Sequence, residues 1–320
     1  MNMPIYKSTL AKWMNDFVAF KQLQKFTYMD QALCLRYFDD FLVEKHFCAS
    51  TLNRTIVELY IAPTQRYKPN TRYNRLSIVR EFSRYLKLYE RESYVLSQVP
   101  AKRPSYPRFY IYSDHEIAAL IRMCFSLKPL VSHRTQTFAT LIGLLATTGL
   151  RINEALSITL DDVDLEKQLL FIRKGKFSKD RWVPLSLSAT HALGQYITIR
   201  KEISFNHEDN SLFLNQRKKK LRYDSVQNTF RHLIRQCQIR GNQPPRLHDL
   251  RHTYATKCLL KWYQHADINA KLPALATCMG HVNISSTQIY LHITAEIRAQ
   301  AQRRFQENFN KNILNKGERT

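Results

Sequence analysis

Glycine is scarce in this chain: 7 of 320 residues, the first at position 143. A 142-residue stretch without it argues against tight hairpins, whose short loops need positive φ, and for helices. Cysteine is also sparse. The six thiols, at positions 34, 48, 124, 237, 258 and 278, form no CxxC pair. That speaks against a zinc ribbon or a disulfide framework, and reduced thiols in a cytoplasm are the expectation. Long apolar runs are missing too. Stretches such as 141–146 fall far short of a membrane span, and the amino terminus (MNMPIYKSTLAKW) lacks the charged-then-apolar pattern of a secretory signal.

What the chain does have is apolar residues and positive charge. Forty-four per cent of its residues are hydrophobic, enough for sizeable cores, and 320 residues suit two domains better than one. Lys and Arg number 49 against 26 acidic residues, a formal net charge of +23. Such an excess calls for a polyanionic partner, nucleic acid or an anionic membrane, and no long basic amphipathic segment offers a membrane anchor.

Pro100, Pro104 and Pro107 fall within eight residues, VPAKRPSYPRF, and mark an extended linker over 100–109. It separates a first domain, 1–99, from a second, 110–294, followed by a tail, 295–320. Both parts are basic: 15 Lys/Arg against 9 Asp/Glu before the linker, 34 against 17 after it. The first domain reads as four helices, 7–23, 30–46, 50–60 and 71–89. On the last, Leu76, Val79, Phe82 and Leu86 make an apolar stripe, while Arg80, Arg84, Lys87 and Arg91 make a separate basic one able to follow phosphates. The second domain is mainly helical with a small antiparallel sheet, an α+β pattern. Ser113 and Glu116 suit a capping box at the head of one helix. A helix over 134–150 follows, then β-like runs at 169–173 and 181–185 joined by a glycine-led hairpin. Helices are expected again over 188–202, 224–237, 247–263, 271–279 and 295–310.

Four segments carry candidate chemistry. In TGLRINE, Arg151 can grip a phosphate with two nitrogens, and Glu154, three residues on, can hold it. In GKFSKDRWVPL, Lys176 sits near the hairpin tip, where a lysine can donate a proton to a leaving oxygen; Lys179 competes for that role. In LHDLRHT, His248 and Arg251 are spaced to share a helix face, with Asp249 between them as a supporting group. Finally, MGH carries His281, and Tyr290 follows nine residues later in SSTQIY. A phenol can attack phosphorus and form a covalent ester, provided neighbouring cations or a base activate it. Taken singly, each has an ordinary explanation: a surface ion pair, a turn lysine, a packing tyrosine.

In combination, TGLRINEAL, KDRWVPL, LHDLRHTYAT and MGHVNISSTQIY resemble the catalytic boxes of the tyrosine recombinase (phage integrase) family, in order and spacing, over roughly 110–295. The resemblance implies a helical core-binding domain and a catalytic domain forming a C-shaped clamp on duplex DNA. It implies that Arg151 and Arg251 hold the scissile phosphate and that Lys176 protonates the leaving 5′ oxygen. His248 and His281 would steady the phosphorane, and Tyr290 would form a 3′-phosphotyrosine link. It implies no cofactor, neither metal nor ATP, and the sequence has no Walker loop, HExxH motif or two-metal carboxylate cluster. The partners implied are DNA recombination sites, further copies of the chain in a tetrameric synapse, and accessory or sister recombinases, in a prokaryotic cytoplasm. Thirty residues separate Arg251 from His281, more than in compact members, and the extra stretch KWYQHADINAKLPAL resembles recombinases of transposon-type cassettes. Phe177 and Ser178 stand where smaller residues are common. In the tail, Ile297, Ala301, Phe305 and Phe309 recur every four residues, a stripe for packing on its own domain or on a neighbour. The alternatives are a non-catalytic DNA-binding paralogue, and a type IB topoisomerase or resolvase using the same chemistry.

Overall fold

The computed structural model describes residues 3–24, 28–89, 92–99, 109–128, 133–173, 180–203, 209–265, 268–281, 287–291 and 294. The chain divides into two units, 1–107 and 108–320.

In the first unit, helices α1 (Ala11–Leu23), α2 (Met29–Glu44), α3 (Arg54–Thr64) and α4 (Pro69–Leu88) enclose one core. Phe17, Phe38, Leu42, Val57 and the expected stripe Leu76, Val79, Phe82 and Leu86 are all buried in it. Two helix boundaries differ from expectation for tertiary reasons. Helix α1 begins at Ala11 rather than at residue 7 because the buried carboxylate of Asp39, on α2, accepts the backbone N–H groups of Lys7 (2.6 Å) and Ser8 (3.0 Å). Helix α3 starts four residues late, where Asn53 caps it by accepting from the Ile56 N–H at 2.9 Å. It then runs on through Pro63, whose ring in the last turn removes a single hydrogen bond. The basic stripe is not uniform. Arg84 and Lys87 are exposed, but Arg80 is half-buried and donates to the Ser97 carbonyl at 2.6 Å. Arg91 lies outside the described residues.

The second unit opens with α5 (Asp114–Cys124), which carries the Ser113–Glu116 capping box, and α6 (Arg134–Thr148), the buried centre of the unit, in contact with α5. The short α7 (Ile152–Ala155) leads to a sheet of three strands, β1 (Val163–Asp164), β2 (Leu169–Ile172) and β3 (Arg181–Pro184), in the order β1-β2-β3 and antiparallel throughout. Strand β1 was not expected; two residues are too few to carry a period-2 pattern. The hairpin connection, with Lys176 and Lys179, lies outside the described residues, as does the expected helix over 295–310. Helices α8 (Leu187–Ile203), α9 (Tyr223–Gln236), α10 (Asp249–His265) and α11 (Ile268–Met279) complete the unit. Helix α10 begins at Asp249, so His248 occupies the turn before it rather than its first turn, linked to the helix through its carbonyl, which accepts from the Arg251 N–H. All six cysteines are free thiols. Among the described residues no helix is long and apolar enough to cross a membrane.

Candidate active site

The site is built where two helices end. The last carbonyls of a helix have no partner within it and carry the negative end of its dipole. Helix α6 ends at Gly149 (φ 63°) and α11 is followed by Gly280 (φ 65°), both in the left-handed conformation that glycine adopts without strain. Side chains are excluded at both places. A Cβ on Gly149 would come within 2.3 Å of the Tyr254 ring, and one on Gly280 within 2.7 Å of the Arg181 guanidinium.

The carbonyls freed at these two ends are taken by arginines. Arg251, on α10 and only 3% exposed, donates to Gly149 O at 2.6 Å and to Met279 O at 2.7 Å. Arg151, at the head of α7, donates to Met279 O at 3.3 Å and to Gly280 O at 2.9 Å. One uncharged oxygen therefore holds both guanidiniums, with the bonding nitrogens no more than ~6 Å apart. Burial, and then the neighbouring Arg151, pull the pKa of Arg251 down to about 10. Two cations held together on a neutral acceptor form a receptor for an anion.

Glu154 is the carboxylate of this array. It accepts from Arg151 Nη1 (2.8 Å) and the Arg151 backbone N–H (3.0 Å), and from Arg181 Nη2 (2.8 Å) and Nη1 (3.2 Å). Burial alone would raise its pKa, but the hydrogen bonds and charges of the two arginines hold it below the usual carboxylate range. Arg181, on β3, also donates through Nε to Cys278 O at 2.9 Å and so ties the sheet to the end of α11. Asp249, also buried, accepts from Arg246 Nη2 (2.8 Å) and from the Arg246 backbone N–H (2.8 Å), orienting a guanidinium that is about half exposed.

Tyr290 lies in the helical stretch 287–291 and is 2% exposed. Its hydroxyl is 2.8 Å from His252 Nδ1. Burial raises the phenol pKa, while Arg251 and Arg151 pull it back. The His281 ring lies parallel to the Tyr290 ring, centroids 6.4 Å apart, and its Nδ1 is 2.7 Å from Thr287 Oγ1. His248 meets His252 edge-on at 4.8 Å and keeps one side open to solvent; the protein packed around it, and then Arg251, hold its pKa below the ordinary value.

Arg151, His248, Arg251, His281 and Tyr290 thus fall in one cluster, with Glu154 and Asp249 behind two of its arginine anchors. Arg181, Arg246 and His252 stand outside the set of sequence-predicted residues. His252 carried a usable signal, being four residues after His248 and so beside it on helical spacing. Arg181 carried none, because its partners come from α7 and α11.

Residues 113–296 match the phage integrase family. The integrase/recombinase-type protein y4rE of Sinorhizobium fredii is 36% identical over 242 residues, covering 73% of this chain and 76% of its own length. Tyrosine recombinase XerC of Lacticaseibacillus casei is 30% identical over 226 residues, covering 69% and 70%. Among solved structures, XerH recombinase bound to its difH substrate before cleavage has a TM-score of 0.68 at 18% identity and covers 93% of this chain and 99% of its own. The Tn1549 transposon integrase with transposon right-end DNA has a TM-score of 0.63 at 17% identity, covering 91% and 98%. The fold is shared with both, and the family match together with the curated relatives shows that this chain belongs to the phage integrase family, the tyrosine-type site-specific recombinases that cleave and rejoin DNA.

Proposed function

We propose that this chain recombines duplex DNA at specific sites of a mobile element through a covalent 3′-phosphotyrosine on Tyr290. The observation that carries this reading is the paired guanidinium receptor beside a buried tyrosine hydroxyl. A scissile phosphate placed between Arg151 and Arg251 supplies the negative charge that the Met279 carbonyl lacks. Tyr290 Oη then attacks phosphorus. The Oη–P bond forms and the P–O5′ bond breaks, with the phenolic proton leaving through the histidine cluster and the 5′ oxygen taking a proton from Lys176. His248 and His281 donate to the non-bridging oxygens as charge gathers there. The 5′ hydroxyl of a second strand reverses the step and releases the tyrosine. One phosphate ester replaces another, so the bond energy is conserved and no ATP is consumed.

Arg84, Lys87 and Arg91 would follow the phosphate backbone from the first unit, and Lys179 would do so from the hairpin. The synapse would hold further copies of the chain. The decisive experiment incubates the protein in EDTA with nicked duplexes from the flanks of its own gene, followed by a denaturing gel. A covalent protein–DNA band that Tyr290→Phe abolishes supports the reading. Specific binding to the same duplexes with no covalent band overturns it in favour of the accessory DNA-binding paralogue.

A further inference from the structure

His252 is assigned no contact to the phosphate above, yet among the described residues it makes the polar contact closest to the reacting atom: its Nδ1 is 2.8 Å from the Tyr290 hydroxyl. The rest of its surroundings hold the ring in place. The Phe109 ring stacks on it, centroids 3.7 Å apart at 19°, and His248 meets it edge-on at 4.8 Å and 88°. Phe109 also lies 6.4 Å from the Tyr290 ring. His252 is 8% exposed, so water has little access to it.

We infer that His252 is a positioning residue for the nucleophile, its unprotonated Nδ1 accepting the phenolic hydrogen of Tyr290 and turning the Oη lone pairs toward the bound phosphate, with Phe109 fixing the plane of the imidazole. The inference rests on the function proposed above. The direction of the hydrogen bond matters. A neutral ring with its hydrogen on Nε2 accepts the phenolic hydrogen at Nδ1 and leaves both lone pairs of Oη free. A ring with hydrogen on Nδ1, whether the other tautomer or the cation, would instead donate to Oη and occupy a lone pair that the attack needs. The surroundings favour the neutral form: burial first, and then His248, Arg246, Arg251 and His281, lower the pKa of His252 to about 3. So weak a base orients the phenol but does not keep its proton.

The test compares His252→Phe, which keeps a ring for Phe109 to stack on and removes the acceptor, with His252→Asn, whose amide oxygen restores one near Nδ1. Single-turnover formation of the covalent band on a nicked duplex is measured at saturating protein, beside duplex affinity. His252→Phe slows covalent capture about tenfold or more, the value of one well-placed hydrogen bond, while affinity stays within about threefold; His252→Asn recovers part of the rate. Phe109→Ala slows capture in the same direction. Wild-type capture matched by His252→Phe overturns the inference while leaving the proposed function standing. A wild type that binds but captures nothing overturns the function itself. Should His252→Phe not fold, imidazole ¹⁵N shifts of the wild type decide. A bare Nδ1 that shifts in Tyr290→Phe supports the assignment, and a protonated Nδ1 overturns it.

Discussion

Replacing Glu154 with alanine probes the electrostatics of the site most directly. This one carboxylate accepts four hydrogen bonds, all from Arg151 and Arg181, and the side chains of Glu154 and Arg181 are each only 8% exposed. At an effective dielectric of ~20, each of the two ion pairs is worth about 4 kcal/mol of attraction before desolvation is charged against it. Breaking a buried pair by removing one partner costs about 3–5 kcal/mol, because the remaining charge stays buried and uncompensated. Here two arginines are stranded, but Arg151 is 24% exposed and can recover some hydration, so that range is kept rather than doubled. For a unit of this size each kcal/mol lowers the melting temperature by roughly 2–4 °C, so Glu154→Ala should melt roughly 6–20 °C lower. Glu154→Gln keeps an acceptor and the volume, and should fall between. Scanning calorimetry at pH 7 and low salt, with and without inorganic phosphate, is the assay. Phosphate should restore part of the loss by pairing with the freed guanidiniums. The pH dependence has a fixed sign. The folded-state pKa of Glu154 is depressed, so its contribution is present above the ordinary carboxylate value near ~4.3 and disappears as pH falls through the lower folded value. The gap between wild type and Glu154→Gln should therefore close in acid. A Glu154→Ala protein melting within about 2 °C of wild type would refute the reasoning.

Three further outcomes follow from the same geometry. Gly280→Ala forces a side chain into the left-handed region and within 2.7 Å of the Arg181 guanidinium; it should cost about 2 kcal/mol or more and weaken covalent capture, read by melting and by the nicked-duplex gel. His252 is neutral when folded and titrates near its ordinary ~6.5 when unfolded, so stability should drop as pH falls from 6.5 toward 3, by up to ~1.4 kcal/mol per unit; a urea titration at pH 7 and pH 5 should show a shallower loss for His252→Asn. The double variant Arg84→Ala/Lys87→Ala should reduce the slope of log affinity against log salt by up to about 2, whereas Arg80→Ala should register first as a lower melting temperature, since it loses the bond to the Ser97 carbonyl.

Much of this protein was legible because its signals are local. Helical periodicity placed the four helices of the first unit, and the glycine-led connection between two β-rich runs placed the β2–β3 hairpin. The errors fall where a distant residue decides. Nothing near Lys7 reveals that Asp39, on another helix, will take its N–H. The site divides in the same way. The paired arginines and the tyrosine were readable because their types and spacing repeat a family pattern. The groups that hold them were not: Arg181 works through the carbonyl of Cys278, and Met279 contributes only a backbone oxygen, which no side-chain pattern encodes.

That backbone oxygen links two properties usually treated as separate. Arg151 and Arg251 terminate helices α11 and α6 as they form the paired guanidinium array, so losing either would leave helix ends uncapped as well as the array broken. Among the described residues the Tyr290 hydroxyl bonds His252 rather than a helix-end carbonyl, and phenylalanine would keep its buried ring. Inactive descendants of such a chain that survive as folded DNA-binding proteins should therefore have lost the tyrosine and kept the arginines. Alleles lacking an arginine should be found among the proteins a cell degrades.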